Sequence, residues 1–179
     1  MSLPIPELGD LEPDDQVSVE EIPHTPMQHD HSIARVLALQ ALYEIDQTTH
    51  PAGDVLNGLA ARMDTSLSEE ITEYIHRLIL GVQRFRLVID AAIQPFAPEF
   101  PVKHLAAVDR CILRLAVFEH GLAELVPVGV AIDEAVSLAK QYGADASPRF
   151  INGVLGNLME NSDLLSRLHA TYQKENGEG

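Results

Sequence analysis

Little in this 179-residue sequence is equipped for covalent chemistry. Cys111 is the single cysteine, which excludes an internal disulfide or a two-thiolate metal site and suits a reducing cytoplasm. No apolar run approaches the roughly 20 residues that a membrane span requires. The opening stretch MSLPIPELGDLEPDDQ has neither the positive charge nor the apolar core of a secretory signal. There is no glycine loop followed by Lys-Ser/Thr, no HExxH and no CxxC. His76, His104, His120 and His169 are scattered, with no partner pattern suited to general-base work. These absences point to a cytoplasmic, non-enzymatic protein that uses no cofactor or metal and does not cross a membrane.

Positive charge is the second scarcity. Twelve Lys and Arg face 27 Asp and Glu, a formal net charge of −15. Non-specific nucleic-acid binding runs on Lys and Arg, so the total argues against it. The distribution softens that objection. Residues 1–31 hold eight acids and no Lys or Arg, leaving 19 acids against 12 bases in the remainder. With prolines at 4, 6, 13, 23 and 26 and no sustained periodicity, residues 1–31 are expected to be a disordered acidic tail. His24, His29, Asp30 and His31 read there as a polar linker rather than a metal site, because nothing else supplies ligands at fixed spacing.

What the chain has is helical periodicity. Apolar positions predict an amphipathic helix from Ile33 to Ile45, with Glu44 facing water, and a short helix through Val55, Leu56, Leu59 and Met63. Ser66-x-x-Glu69 reads as a capping box for a third helix, through Ile71, Ile75, Leu78, Ile79, Val82 and Phe85, continuing with a bend to Ile93. Pro95, Pro98 and Pro101 make PFAPEFP a rigid loop. Val102 to His120 is the most hydrophobic helix, closed by Gly121, with Cys111 on its buried face as an inert thiol. A last short helix, capped by Ser162 or Asp163, runs through Leu168 before residues 171–179 fray.

Val126 to Met159 organises the rest. Val128, Ala131, Ile132, Ala135, Val136 and Ala139 predict one helix, stopped by Gly143 in a left-handed turn. Ser147 then caps a new helix, Pro148 fits its first position, and Phe150, Ile151, Val154, Leu155 and Leu158 form its stripe. Gly153-Val154-Leu155-Gly156 has the letters of a KH-domain GxxG loop. Lying inside a helical stripe, it reads instead as close helix packing.

Three blocks carry a resemblance: ARVLALQALYE (Ala34 to Glu44), VDRCILRLAVFEH (Val108 to His120) and VAIDEAVSLAKQYG–S–FINGVL. Together they resemble, in order and spacing, the NusB family of bacterial transcription antitermination factors. The resemblance implies an all-α, NusB-like helical bundle of about seven helices in two packed subdomains, spanning residues 32–170 and divided near Pro95–Pro101.

It also implies a role. Such proteins pair with the ribosomal protein NusE, bind boxA-type single-stranded RNA of ribosomal RNA transcripts, and join the RNA polymerase antitermination complex. Unstacked bases are read by aromatic and guanidinium planes together with amides and hydroxyls. Arg35, Gln40, Tyr43, Ser147, Arg149, Phe150 and Asn152 match positions of the family's RNA-binding face. Ordinary core packing is the competing reading for Tyr43 and Phe150. Tyr43 and Asp109 match positions at the NusE surface, where an acid suits a basic ribosomal protein.

Some positions depart from the family pattern. The arginine cluster that usually precedes the first helix is replaced by His31-Ser32-Ile33, leaving only Arg35. Ala146 stands where an acid commonly precedes the restart serine, and Pro148 where a polar residue is often found. Fewer phosphate contacts imply weak RNA binding by the protein alone and reliance on its basic partner. The acidic tail is further expected to fold back over Arg35 and Arg149 and compete with RNA. Two alternatives follow: a helical interaction module that has lost RNA binding, or the RNA-binding domain of a ribosomal RNA cytosine methyltransferase. Self-association through the same face is left open.

Overall fold

Apolar stripes at helical spacing set the architecture. In a computed structural model, which describes residues 26–63 and 67–177, they form seven α-helices with no strand among the described residues. These are α1 (Pro26–Gln47), α2 (Ala52–Arg62), α3 (Glu69–Ile93), α4 (Ala107–Ala116), α5 (Val128–Tyr142), α6 (Ser147–Met159) and α7 (Ser162–Asn176). The first half packs α1 on α2 and α3. The second packs α5 on α6 and lays α7 against the turn that follows α4. Helix α4 joins the halves, touching α1 and α3 on one side and α5 and α6 on the other.

That central position explains the burial of α4. Every residue from Asp109 to Glu119 is buried, charged ones included. Its two arginines are paired with acids of neighbouring helices. Arg110 binds Asp46 of α1; Arg114 reaches Asp46 at 2.7 Å and Asp90 of α3 at 2.8 Å. Cys111 lies on the same helix, and burial pushes its thiol up to about 12, so it is an unreactive core group.

Several local expectations are corrected. Helix α1 starts at Pro26, not after residue 31, so the supposed linker histidines His29 and His31 are helical. His31 meets the Tyr74 ring edge-on at 4.7 Å between centroids. The remainder of the expected tail, residues 1–25, lies outside the described residues, as does Ser66. The cap of α3 is Ser68, whose hydroxyl accepts the Ile71 N–H at 3.3 Å. Val102 to His120 is not one helix. A 3-10 turn (Val102–His104) precedes α4, and a wider π-type turn (Val117–Leu122) follows it and contains Gly121. The break before α4 frees the Lys103 and Leu105 carbonyls, and Arg110 donates to both, at 2.8 and 2.7 Å. The chain then reverses through Glu124, which has a φ of 47°. Asn161, not Ser162 or Asp163, caps α7.

Gly143 is also not left-handed, since its φ is −87°. Glycine is needed there for space, because a Cβ would lie 2.5 Å from the Ser147 Cβ. Ser147 does not cap α6. It is the helix's first residue, and its buried hydroxyl accepts the Ala144 N–H at 3.0 Å, closing the α5–α6 turn.

Candidate nucleic-acid and protein interface

Arg35 comes first in the expected set, and it does not reach the surface. Its side chain is 3% exposed and forks onto Glu119 of the π-type turn, with N–O distances of 2.6 to 3.0 Å. Glu134 of α5 lies 3.4 Å away. The Tyr74 hydroxyl donates to Glu119 and is 3.4 Å from the guanidinium. Burial alone would lower the Arg35 pKa, but the Glu119 carboxylate more than offsets it and the group stays charged. Arg35 therefore ties α1 to α3, α5 and the turn after α4, and its donors are committed inside the protein.

Gln40 and Tyr43, farther along α1, are exposed. Tyr43 lies one turn before Asp46, which binds Arg110, the neighbour of Asp109. Tyr43 and Asp109 thus fall at the same end of the α1–α4 pair. Asp109 is buried, and its Oδ1 has no hydrogen-bond donor among the described residues. That oxygen is itself shielded from solvent, so Asp109 can meet a partner only through the small part of the residue that remains exposed.

The remaining expected residues lie on α6. Arg149 and Asn152 are exposed, whereas Phe150 is half-buried against the core. Arg149 and Phe150 line a groove of about 490 Å³ between α6 and the proline-rich segment after α3. Asn152 is not part of that groove and lies on another side of α6. Ser147 is internal. The expected positions therefore separate into an α1–α4 surface with Gln40, Tyr43 and Asp109, and an α6 groove with Arg149 and Phe150.

Three residues of the groove escaped the sequence reading. Phe96 and Phe100 form its far wall, and Gly153 lies between Phe150 and Asn157 along α6. The signal for Phe100 was present in the sequence, as an aromatic set among three prolines where no helix could bury it. Gly153 and Gly156 were expected to allow close helix packing. Instead, a Cβ added at either would meet nothing within 4 Å.

A sequence model of the NusB family matches residues 32–160. The chain belongs to the NusB family. A transcription antitermination protein NusB of Dehalococcoides mccartyi is 46% identical over 125 residues, which cover 70% of this chain and 86% of the relative. Among solved structures, NusB of T. maritima superposes with a TM-score of 0.67 at 27% identity, covering 78% of this chain and 94% of that one. A chain from a complex of the antitermination factors NusB and NusE with dsRNA gives 0.65 at 25% identity, covering 74% of this chain and 97% of that one. The all-α bundle expected from the resemblance is thus the NusB fold. No helix among the described residues is long and apolar enough to cross a membrane.

Proposed function

We propose that this protein is a transcription antitermination factor that binds boxA-type single-stranded RNA of ribosomal transcripts together with NusE, in the cytoplasm and as part of an RNA polymerase complex. The observation that carries this reading is family membership over residues 32–160, with relatives named as antitermination proteins along most of their own length. The surfaces fit a division of labour. Tyr43 is exposed for a partner protein, with the Asp109 charge just beneath that surface favouring a basic one, while Arg149 and Phe150 offer a cation and an aromatic plane to a phosphate and a base. Arg35 contributes by holding α1 in place and not by touching RNA. With Arg149 left as the principal exposed cation of the expected set, RNA binding depends on the positive charge that NusE brings.

Fluorescence anisotropy of a boxA-type RNA, with and without NusE at two salt concentrations, tests this. The expected result is tight, salt-sensitive binding by the pair and weak binding by the protein alone. Arg149→Ala or Phe150→Ala weakens the pair's binding about ten-fold, in line with loss of one phosphate or one stacking contact. A stable protein pair indifferent to RNA would establish the interaction-module reading. Failure to bind either partner would overturn the proposal.

A further inference from the structure

The groove beside α6 contains more than the two residues the family pattern points to. Its far wall is a short segment held unusually firmly for a loop. The Gln94 side chain donates to the carbonyls of Ala97 and Phe100, both at 3.1 Å, and its Oε1 accepts the Val102 N–H at 3.0 Å. Three prolines fix much of the remaining backbone. The segment so braced presents Phe100 with 59% of its surface exposed, outside the contiguous core. One exposed apolar ring needs no explanation by itself, but Phe100 lines a single groove with Phe96, Leu105 and Phe150, so its exposed face continues an apolar surface open to a ligand.

The near wall points the same way. Gly153 sits in α6 where a Cβ would meet nothing within 4 Å. A glycine in a helix interior costs roughly 0.5–1 kcal/mol relative to alanine. No packing contact explains that cost here. What the missing side chain does is keep the groove open between Phe150 and Asn157.

We propose that Phe100 and Phe150, with the gap left by Gly153 between them, form a slot for one unstacked RNA base, and that Gln94 is the positioning residue for its outer wall. This rests on the RNA-binding function proposed above and extends it to a second aromatic wall. Charge sets the orientation. Arg149 lies on the α6 side and Glu99 on the loop side. The phosphate backbone passes Arg149, while Glu99 repels a phosphate and accepts from an exocyclic amino group of the base.

The test uses the full chain paired with NusE and a boxA-type RNA, together with copies of that RNA carrying one abasic position each. Phe100→Ala lowers affinity about ten- to a hundred-fold, as expected for loss of a stacking wall. At one position, the abasic RNA binds weakly to the unchanged protein, and Phe100→Ala adds no further loss. Gly153→Leu, which fills the slot, gives the same loss while NusE binding stays intact. Phe100→Trp keeps the affinity that Phe100→Ala loses, and because the sequence has no other tryptophan it gives this chain a single indole, selectively excited, whose emission is quenched by the RNA and not by its abasic copy. Gln94→Ala lowers affinity while Phe100→Trp in that background loses its quenching. If Arg149→Ala and Phe150→Ala weaken RNA binding but Phe100→Ala and Gly153→Leu do not, the slot is refuted and the RNA-binding function stands. If Phe100→Ala weakens NusE binding and spares RNA, the groove is a protein contact and the slot is again refuted. If none of the four affects RNA binding by a pair that binds the RNA tightly, the slot is refuted and the RNA lies elsewhere; if the unchanged pair does not bind the RNA at all, the functional reading itself fails.

Discussion

Arg35 illustrates how a residue's chemistry depends on what it faces. A guanidinium on α1 could serve RNA, yet here it neutralises Glu119, whose side chain is 2% exposed. Removing one member of a buried pair leaves the other charge without compensation, typically at about 3–5 kcal/mol. Arg35→Ala should therefore lower the unfolding free energy by about that amount, read by urea denaturation. Below its melting temperature it should change RNA affinity far less than Arg149→Ala does. Equal losses of affinity from the two variants would place Arg35 at the RNA after all. The sequence could not separate these roles, because the deciding partner, Glu119, lies 84 residues farther on. Phe150 was singled out by the resemblance, and helical spacing alone would have assigned it to the core. Phe100 carried only the weaker signal of an aromatic ring among prolines, since no periodicity speaks for a residue in a loop.

At the scale of elements, periodicity identified every helix and blurred how each one faces its neighbours. In α1, Val36, Leu37 and Ile45 are half-buried and packed against the core, while the fully buried residues are Ala34, Ala38, Leu39, Ala41 and Leu42, whose small members let α3 and α4 approach closely. Glycines show the same limit. Gly81 on α3 faces Phe118, and a Cβ there would come within 2.0 Å of its ring. Gly81→Ala should cost about 1–3 kcal/mol by overpacking, whereas Gly153→Ala should gain about 0.5–1 kcal/mol from helix propensity. Thermal melts of the two variants shifting in the same direction would contradict this assignment. Nothing in the sequence distinguishes the two positions, since each is a glycine inside an apolar stripe. Only what lies opposite separates them: the Phe118 ring for Gly81, and nothing within 4 Å for Gly153.

The attachment of α4 to α1 and α3 also sets a pH dependence. Burial pushes the Asp46 carboxyl up, but hydrogen bonds from Arg110 and Arg114 outweigh it and hold the group down at about 2, against an ordinary value of 3.8. A carboxyl depressed on folding stabilises the native state above its unfolded pKa, and that contribution disappears as pH falls through the folded one. The window is thus about pH 4 down to about pH 2. Because Asp46 is only partly shielded from solvent, the contribution is about 1–2 kcal/mol. Asp46→Asn lacks this contribution, so the stability gap between it and the parent protein should narrow as pH drops from 5 to 2.5. A gap that stays constant would mean the arginines do not hold the carboxylate in this way.

For the whole molecule, charge is the property that bears most on RNA. Residues 1–25 carry seven acids and no base, so deleting them changes the formal net charge from −15 to −8. Because α1 begins at Pro26, this cut leaves the described helices intact. The acidic stretch was expected to compete with RNA for Arg35 and Arg149. With Arg35 bound to Glu119, only Arg149 remains a target, together with the general repulsion of phosphates by a negative field. Both effects are electrostatic and screened over about 8–10 Å at physiological salt. Deletion of residues 1–25 should therefore raise RNA affinity about two- to ten-fold at low ionic strength and progressively less as salt increases. Arg149→Ala should reduce the gain in proportion to the share that acts through that side chain. An affinity gain that persists at high salt would point to a non-electrostatic contact between residues 1–25 and the RNA surface, and an unchanged affinity at low salt would remove the segment from the RNA-binding equilibrium.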